Sequence, residues 1–334
     1  GTIKNYQTIT VAPMSRGTIQ PGNLNMPYPH IAAKITSDQP VLVERPSYFT
    51  LTDGYNVAGA ADVIGVSNPA PTWYFAEGQA PHVAQGIVPG TQENLIIANP
   101  NDTPTAVTIT LVSSTSGATS AVVSGSAALN YHVTLPAFSQ KIWDVNVNNN
   151  FTGATSAVSA IVAVDANQLG VVVQRQLYQT YSGVNTSTLN SQTGWSAQSV
   201  TDTIGATSPV TPVTTGTGTG HTYNYAEGYA AQYYNEWLML LNTTGNDETV
   251  TVKLTNSSGH TYTQTVALPK NSRYSDNITQ VIEQNMIQVG DANSAYEVSM
   301  QITSTGDFVA ERSEYFHPVA YPVQGGDSLV GYVS

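Results

Sequence analysis

An internal repeat constrains this chain more than any other feature of its sequence. The hexapeptide Trp73-Tyr-Phe-Ala-Glu-Gly78 returns later as Tyr223-Asn-Tyr-Ala-Glu-Gly228. Three further sequence markers follow each hexapeptide in the same order. Self-similarity of this kind is the signature of tandem structural units. The chain of 334 residues is therefore predicted to contain copies of one unit rather than a single large domain.

The three markers are a strand that ends in Asn, a Leu-Pro-x-x-Ser turn and a strand that contains an arginine. In the two full copies they are Glu93–Asn99 and Glu236–Asn242, Leu135–Ser139 and Leu268–Ser272, and Val171–Tyr178 and Asp307–Phe316. Because the order of the markers is preserved, the copies are predicted to share one topology.

The beginning of the chain matches only the back half of this unit. Val11–Ser15 corresponds to the turn marker, and Gln39–Phe49, which contains Arg45, corresponds to the arginine marker. Near the other end, Gly325–Val333 resembles Gly59–Val66, which precedes the second copy. The sequence thus holds about two and a half copies. We expect the incomplete start of one chain to be completed by the C-terminal strand of a neighbouring chain.

These matches divide the chain into six segments. The expected segments are a partial sandwich repeat at 1–52, a linker at 53–70, a repeat at 71–185, a Gly/Thr-rich linker at 186–220, a repeat at 221–318, and a C-terminal tail or candidate donor strand at 319–334. The second linker ends in Thr214–Gly220, whose alternating Thr and Gly residues cannot build a core.

The hydrophobic pattern predicts β-strands throughout. Apolar and polar residues alternate in Ala106–Val112 and again in Thr249–Thr255, which is typical of strands with one buried face. Turn residues separate such segments, as at Asn99–Asp102 and Ser257–Gly259. One short helix is predicted around Thr279–Met286. The predicted fold is all-β, with tandem antiparallel β-sandwich domains of the immunoglobulin-like or jelly-roll-like kind.

The composition excludes several classes of function. Charged residues make up 10% of the chain, and 22 acidic against 10 basic side chains give a net charge of −12. This balance argues against nucleic-acid binding, which needs clustered Lys and Arg. Without an apolar run of about 20 residues, no membrane insertion is expected. The absence of Cys excludes a disulfide framework, and the start at Gly1 suggests a processed chain.

The sequence offers no motif for catalysis, a cofactor or a metal. The six His residues are scattered without zinc-site spacing, and no EF-hand loop, nucleophile elbow or phosphate loop is present. The acids of Asn246-Asp-Glu248 could bind calcium weakly, although a solvated turn is the favoured interpretation. We therefore expect a protein that is not an enzyme and that carries no cofactor.

Five charged residues recur between the copies, although charged residues are scarce in this chain. They are Glu77, Glu227, Arg45, Arg175 and Arg312. They could form a carboxylate site, but structural ion pairs that hold strands together are the favoured interpretation. We expect the pairs Glu77–Arg175 and Glu227–Arg312. Since Arg45 lacks such a Glu in its own half-copy, we expect it to use Glu77 or a Glu from another subunit.

The order of the markers resembles a β-sandwich repeat family found in large secreted and cell-surface proteins of bacteria such as Chloroflexota and Actinomycetota. The resemblance covers residues 71–182 and 221–318, and 1–52 in part. It implies an extracellular location and a tandem architecture, and it brings no catalytic residue to this chain.

The chain departs from the family pattern at two places. Gln174 stands where the other copies have Glu44 and Glu311, and Asn242-Thr-Thr replaces Asn-Pro-Asn. The first departure argues against a strictly required charge at position 174. Neither departure is expected to change the fold.

The expected function is that of a structural subunit of an extracellular filament or surface layer. Head-to-tail self-assembly by strand complementation would cover an open sheet edge. The residues proposed for the assembly strand are Asp327, Leu329, Val330, Tyr332 and Val333.

The alternative is a cell-surface adhesin or carbohydrate-binding stalk, with surface glycans as partners. Its candidate binding residues are the aromatic side chains of Tyr229, Tyr233, Tyr234 and Trp237. The chain also contains Asn-x-Ser/Thr sequons, which are candidate glycosylation sites. They begin at Asn101, Asn150, Asn185, Asn242, Asn256 and Asn277.

Overall fold

The computed structural model of the chain is built almost entirely from antiparallel β-strands, as predicted. It describes residues 7–24, 30–51, 57–81, 90–113, 127–151, 156–183, 195–209, 222–230, 233–286, 296–318 and 324–333. We call the region before residue 66 repeat 1, residues 70–206 repeat 2, and residues 222–333 repeat 3. The prediction of tandem antiparallel sandwiches is confirmed.

Repeat 1 contributes one β-hairpin. Strands β1 (Glu44–Leu51) and β2 (Val57–Ile64) pair in antiparallel register, with Arg45 opposite Val63. Upstream of the hairpin, the hydroxyl of Ser15 donates to the carbonyl of Ala12 at 2.6 Å. A short 3₁₀ helix follows this turn at Pro21–Leu24.

Repeat 2 is an eight-stranded sandwich. Its strands are β3 (Thr72–Phe75), β4 (Thr91–Asn99), β5 (Thr105–Ser113), β6 (Ala127–Leu135), β7 (Ser139–Asp144), β8 (Val158–Val164), β9 (Val172–Ser182) and β10 (Ser196–Ile204), with helix α1 at Val145–Asn148. One sheet has the order β10-β9-β4-β7 and the other the order β3-β8-β5-β6. Ala206, just after β10, bridges to Tyr74 of β3, so the last segment returns to the first strand.

Repeat 3 has the same topology with one additional short strand, β19. Its elements are β11 (Tyr223–Tyr225), β12 (Tyr234–Asn242), β13 (Glu248–Asn256), β14 (Thr261–Leu268), β15 (Arg273–Asn277), α2 (Ile278–Asn285), β16 (Val298–Ser304), β17 (Phe308–Phe316), β18 (Gly325–Val330) and β19 (Tyr332–Val333). The sheets run β15-β12-β17-β18 and β14-β13-β16-β11-β19. The pairing of β19 with β11 repeats the return of Ala206 to β3.

Each of the two sandwiches has its own hydrophobic core between its two sheets. Alternate residues of the strands point inward, as the period-two pattern predicts. Burial of each Val, Leu, Ile or Phe side chain is worth roughly 1.5–3 kcal/mol. Fully buried examples are Trp73, Phe75, Leu95, Ile109 and Val162 in repeat 2, and Tyr223, Leu238, Val252, Ile302 and Phe308 in repeat 3.

The asparagine and turn markers together fix one turn in each repeat. The buried side-chain amides of Asn99 and Asn242 each donate to three backbone carbonyl groups, as buried polar groups usually find hydrogen-bond partners. The acceptors are Thr103, Leu135 and Pro136 for Asn99, and Asn246, Leu268 and Pro269 for Asn242. The turn serine then donates to the same proline carbonyl, as Ser139 does to Pro136 and Ser272 to Pro269.

The expected linkers and tail need correction, because each contains a strand. Linker 53–70 contains β2, linker 186–220 contains β10, and tail 319–334 contains β18 and β19. Each of these strands pairs with the arginine strand before it, β2 with β1, β10 with β9 and β18 with β17. The segment Thr214–Gly220 lies outside the described residues.

The candidate donor strand is therefore the last strand of its own repeat. Asp327, Leu329 and Val330 lie in β18, which is hydrogen-bonded to β17 of the same chain, and Tyr332 and Val333 lie in β19. Its backbone groups on the β17 side already have ladder partners. Within one chain this strand therefore completes its own sheet, and its donation to a neighbouring chain stays a prediction.

Candidate functional site at the junction between repeats

The recurring Glu and Arg of repeat 2 form a buried ion pair. Glu77 follows β3 in one sheet and Arg175 lies on β9 in the other, so the pair links the two sheets. Nη2 of Arg175 lies 2.6 Å from Oε2 of Glu77, and Nη1 donates to the Glu77 carbonyl at 2.6 Å. The guanidinium also lies 5.8 Å from the ring centroid of Phe75, within cation–π range. The structure thus places together the first pair expected from the sequence.

Arg175 has a second carboxylate partner, which comes from repeat 3. Nη1 of Arg175 lies 2.7 Å from Oε2 of Glu311, and the same oxygen accepts the backbone N–H of Glu77 at 2.8 Å. Both side chains are fully buried. Burial raises the pKa of Glu311, and Arg175 opposes that shift. This pair was not predicted from the sequence, because the recurrence of Glu311 as Glu44 does not indicate which repeat its side chain contacts.

Two further side chains of repeat 3 complete this contact. The buried phenol of Tyr315 donates to Oε1 of Glu77 at 2.5 Å, and Nη2 of Arg175 donates to the hydroxyl of Ser328 at 3.1 Å. Burial raises the pKa of Tyr315 well above its usual value, so the phenol remains a donor. The Tyr315 ring stacks on Tyr181 of repeat 2, with centroids 4.2 Å apart.

Arg273 of repeat 3 brings a second cation into the junction. Its Nε donates to the Ser159 hydroxyl at 3.0 Å, and its Nη2 donates to the Ala76 carbonyl at 3.4 Å. Burial lowers the pKa of Arg273 to about 10, so the side chain is still cationic at neutral pH. The junction therefore sets two guanidinium groups against the carboxylates of Glu77 and Glu311.

Each sandwich also buries a glutamate at the start of its second strand. The backbone N–H of Glu93 donates to Asn146 in α1, and that of Glu236 donates to Thr279 in α2, both at 2.8 Å. Burial is the largest cause that raises the pKa of each carboxyl to about 8. The glycine of the hexapeptide makes room for this group, because a Cβ on Gly78 would lie 2.8 Å from Oε1 of Glu93.

In the corresponding pair of repeat 3, the arginine is buried but the glutamate is open to solvent. Nη1 of Arg312 lies 3.1 Å from Oε2 of Glu227, whose side chain is 72% exposed. Glu236 and Glu314 lie farther from the same nitrogen, at 3.9 Å each. The expected partners are thus close together, but Glu227 is exposed where its counterpart Glu77 is buried.

Arg45 contacts Asp202 of repeat 2, which corrects the expectation of Glu77 or another subunit. Nη2 of Arg45 lies 2.7 Å from Oδ2 of Asp202, and Gln174 donates its amide to the other oxygen. The carboxylate of Asp202 is buried, whereas the Arg45 side chain is 50% exposed. Burial raises the pKa of Asp202, and Arg45 opposes the shift. Asp202 thus supplies the carboxylate at this junction, where Gln174 stands in the position of a glutamate.

The two junctions repeat one contact. Arg45 meets Asp202 as Arg175 meets Ser328, and these partners occupy equivalent positions, three residues before Gly205 and Gly331. Similarly, the N–H of Ala58 donates to Gln198, whose own N–H donates to Gln324. Repeats 1 and 2 are therefore related at this edge in the same way as repeats 2 and 3.

The aromatic side chains considered for sugar binding make contacts within the chain. The indole N–H of Trp237 donates to the hydroxyl of Tyr181 at 2.8 Å, across the junction. Tyr234 packs edge-on against Tyr229 and stacks on Phe316. Tyr233 packs on the cluster around Trp195 and Tyr315.

Three of the glycosylation candidates are corrected by their burial. Asn242, Asn256 and Asn277 are 1–4% exposed, so a glycan cannot be attached without unfolding the site. Asn101 uses its amide to donate to Asn99 and to Gly170. Asn150 is exposed, and Asn185 lies outside the described residues.

The described part of the chain contains no group of three or more His, Asp or Glu side chains that could hold a metal ion. No helix within the described ranges is long and apolar enough to cross a membrane. A cavity of about 270 Å³ lies between repeats 2 and 3, lined by Thr110, Val112, Ala128, Ile161, Asn242, Thr243, Lys270 and Asn271. This volume is below the ~300–1,000 Å³ that small-molecule sites usually have.

Comparisons with known proteins leave the family open. No protein-family model matches the chain, and no curated protein matches it. Among solved structures, the chain is similar to Thermotoga maritima 1070, with a TM-score of 0.28 and 18% identity over 42% of this chain and 95% of that one. At this TM-score the likeness carries no argument about function.

Proposed function

We propose that this chain is a non-enzymatic structural protein of an extracellular filament or surface layer, in which β-sandwich repeats stack end to end. The observation that carries the proposal is the buried contact of Arg175 with both Glu77 and Glu311, which lie in different repeats. Independent domains joined by flexible linkers are not expected to bury charged groups against one another.

The junction favours one fixed orientation of neighbouring repeats. Buried ion pairs often add little net stability, because desolvation offsets much of the Coulomb attraction. They do penalise any other arrangement, since a displaced partner leaves a buried charge unpaired. Apolar side chains pack beside the charges, and these are Ala76 and Val112 of repeat 2 with Met239, Leu241 and Val309 of repeat 3. A stiff connection of this kind suits a fibre that must keep its shape under tension.

The location of the perturbed ionisable groups supports a structural role rather than catalysis. Enzymes concentrate such groups in clefts that a substrate can enter. Here Arg175 and Glu311 are fully buried in a closed junction, and Glu93 lies inside a sandwich. The proposal includes self-association as the principal interaction and no cofactor. The extracellular location rests on the family resemblance and on the weakly charged composition.

Negative-stain electron microscopy of the purified chain over a range of concentrations tests the proposal. We expect linear or sheet-like assemblies with a regular repeat along their length. Monodisperse particles at every concentration would overturn it. Glycan-array binding by such monomers would then favour the adhesin alternative.

A further inference from the structure

The two full repeats differ sharply in the exposure of one equivalent pair of residues. Ala76 and Glu77 of repeat 2 are 0% and 5% exposed, because repeat 3 covers them. Their counterparts Ala226 and Glu227 are exposed, and no described residue of the chain covers them. The end of repeat 3 thus presents the surface that repeat 2 buries.

The residues of repeat 3 that cover Glu77 lie on the β17–β18 hairpin, and the β1–β2 hairpin reproduces its register. Arg312 lies opposite Leu329, and Arg45 lies opposite Val63. In each hairpin, the residue opposite the arginine therefore lies two positions before a glycine that both hairpins share, Gly331 or Gly65. The correspondence also holds at the phenylalanine four residues after each arginine, since Phe316 lies opposite Gly325 and Phe49 lies opposite Gly59.

This register assigns a counterpart in repeat 1 to each covering side chain. Glu44 corresponds to Glu311, Tyr48 to Tyr315 and Asp62 to Ser328. All three counterparts are exposed, and Tyr48 is 81% exposed despite its large ring. The outer face of β1 therefore carries the phenol and carboxylate groups of the junction without a partner within the described chain.

The cation that repeat 3 brings to the junction, Arg273, also has a counterpart in repeat 1, which lies before the β1–β2 hairpin. Arg16 follows Ser15 of the turn marker as Arg273 follows Ser272, and Arg16 is exposed. The two turns share a local structure. Ser15 donates to Ala12 as Ser272 donates to Pro269. Repeat 1 thus carries both an exposed arginine and exposed carboxylates, which correspond to the charged groups of the buried junction.

We propose that the β1–β2 hairpin of a second copy of this chain docks on the exposed surface of repeat 3 around Ala226 and Glu227. Glu44 and Tyr48 would then meet Arg312 and Glu227 as Glu311 and Tyr315 meet Arg175 and Glu77. The contact is head-to-tail, since the two surfaces differ, and such contacts propagate into open filaments when the rotation does not close a ring. This inference rests on the proposed function and names the interface that builds the assembly.

The proposed contact is more polar than the junction inside the chain. Tyr74, Val112 and Ile161, which pack against repeat 3, have the polar counterparts Asn224, Thr255 and Gln301 in repeat 3. We therefore expect association between chains to weaken with salt, because exposed charges are screened beyond ~8 Å at physiological ionic strength.

Charge reversal with a matched control tests this interface. Glu44→Arg places a like charge against Arg312, whereas Asp102→Arg makes the same change of charge in an exposed turn of repeat 2. In sedimentation velocity, we expect E44R to weaken association at least ~10-fold, because like charges in contact cost several kcal/mol. We expect D102R to stay within about twofold of the unmodified chain, as surface substitutions usually do. Equal effects of the two variants would overturn the inference.

Cross-linking gives a second readout that does not depend on a loss of assembly. The natural chain has no Cys, so a short bismaleimide can join only introduced thiols. We expect a Y48C chain mixed with an E227C chain to form covalent dimers, in excess over Y48C mixed with Q168C, whose residue is exposed elsewhere. Equal yields would place the contact elsewhere. Assemblies that persist in E44R would reject this interface alone, whereas an unmodified chain that stays monomeric would reject the proposed function as well.

Discussion

The carboxylate of Glu311 lies 2.7 Å from the guanidinium of Arg175, although the two residues belong to different repeats. Arg175 in turn holds Glu77 of its own repeat at 2.6 Å. One guanidinium therefore joins the two sheets of a sandwich to each other and to the next sandwich. Folding of repeat 2 and its docking to repeat 3 are coupled through this side chain.

Glu311→Ala should destabilise the chain far more than the equivalent change at Glu44. Removal of Glu311 leaves Arg175 with a buried charge that Glu77 alone must balance, and breaking such a pair costs about 3–5 kcal/mol. Glu44 is exposed on the equivalent strand, and E44A should shift stability by no more than about 0.5 kcal/mol. Urea unfolding of both variants, at concentrations where the chain is monomeric, gives the comparison. Equal midpoints would contradict a structural role for Glu311.

Replacement of the two hexapeptide glutamates by alanine should also have unequal effects on stability. The Glu77 side chain is 6% exposed and has Arg175 and Tyr315 as partners, so Glu77→Ala should cost several kcal/mol, about 3–5. The Glu227 side chain is 72% exposed, and E227A should cost about 1 kcal/mol or less, as exposed ion pairs do. Melting temperatures measured side by side test this order. If the melting temperature fell more in E227A than in E77A, the difference in burial between the two glutamates would have no energetic consequence.

Stability should fall as the pH rises from about 4.5 to about 8. Burial raises the pKa of both Glu93 and Glu236 from 4.5 to about 8. Between these values the carboxyls are protonated in the folded chain and ionised in the unfolded chain. Unfolding then releases protons, so a higher pH favours the unfolded state. Thermal unfolding in a pH series should show the decline and a plateau above pH 8.

Glu93→Gln provides the control for this pH dependence. The amide has nearly the shape of the protonated acid and does not ionise. In E93Q, the fall of stability with rising pH should therefore be smaller by the part that Glu93 contributes. A melting temperature that rises steadily from pH 5 to pH 8 would mean that these carboxyls are ionised in the folded chain.

The sequence predicted those features that repeat within it. The recurrence of Glu77 and Arg175 was enough to predict their pairing, and the alternation in Ala106–Val112 was enough to predict β5. Strand β10 was missed because Ser196–Ile204 is polar and lies in a segment rich in Thr and Gly. A repeat also does not reveal how its copies stack. The contacts of Glu311 with Arg175 and of Asp202 with Arg45 became visible only in three dimensions.

The hexapeptide glycine gives a final prediction that depends on close packing alone. A Cβ on Gly78 would meet both Glu93 Oε1 at 2.8 Å and the carbonyl of Val158, and backbone cannot move aside easily. Gly78→Ala should therefore destabilise the chain by about 1–3 kcal/mol, as overpacking usually does. Gly245 has no atom within 4 Å of the equivalent Cβ position, so Gly245→Ala should be neutral or slightly stabilising. Urea midpoints of the two variants measure the difference, and a G78A chain as stable as G245A would show that the buried glutamate does not need the glycine.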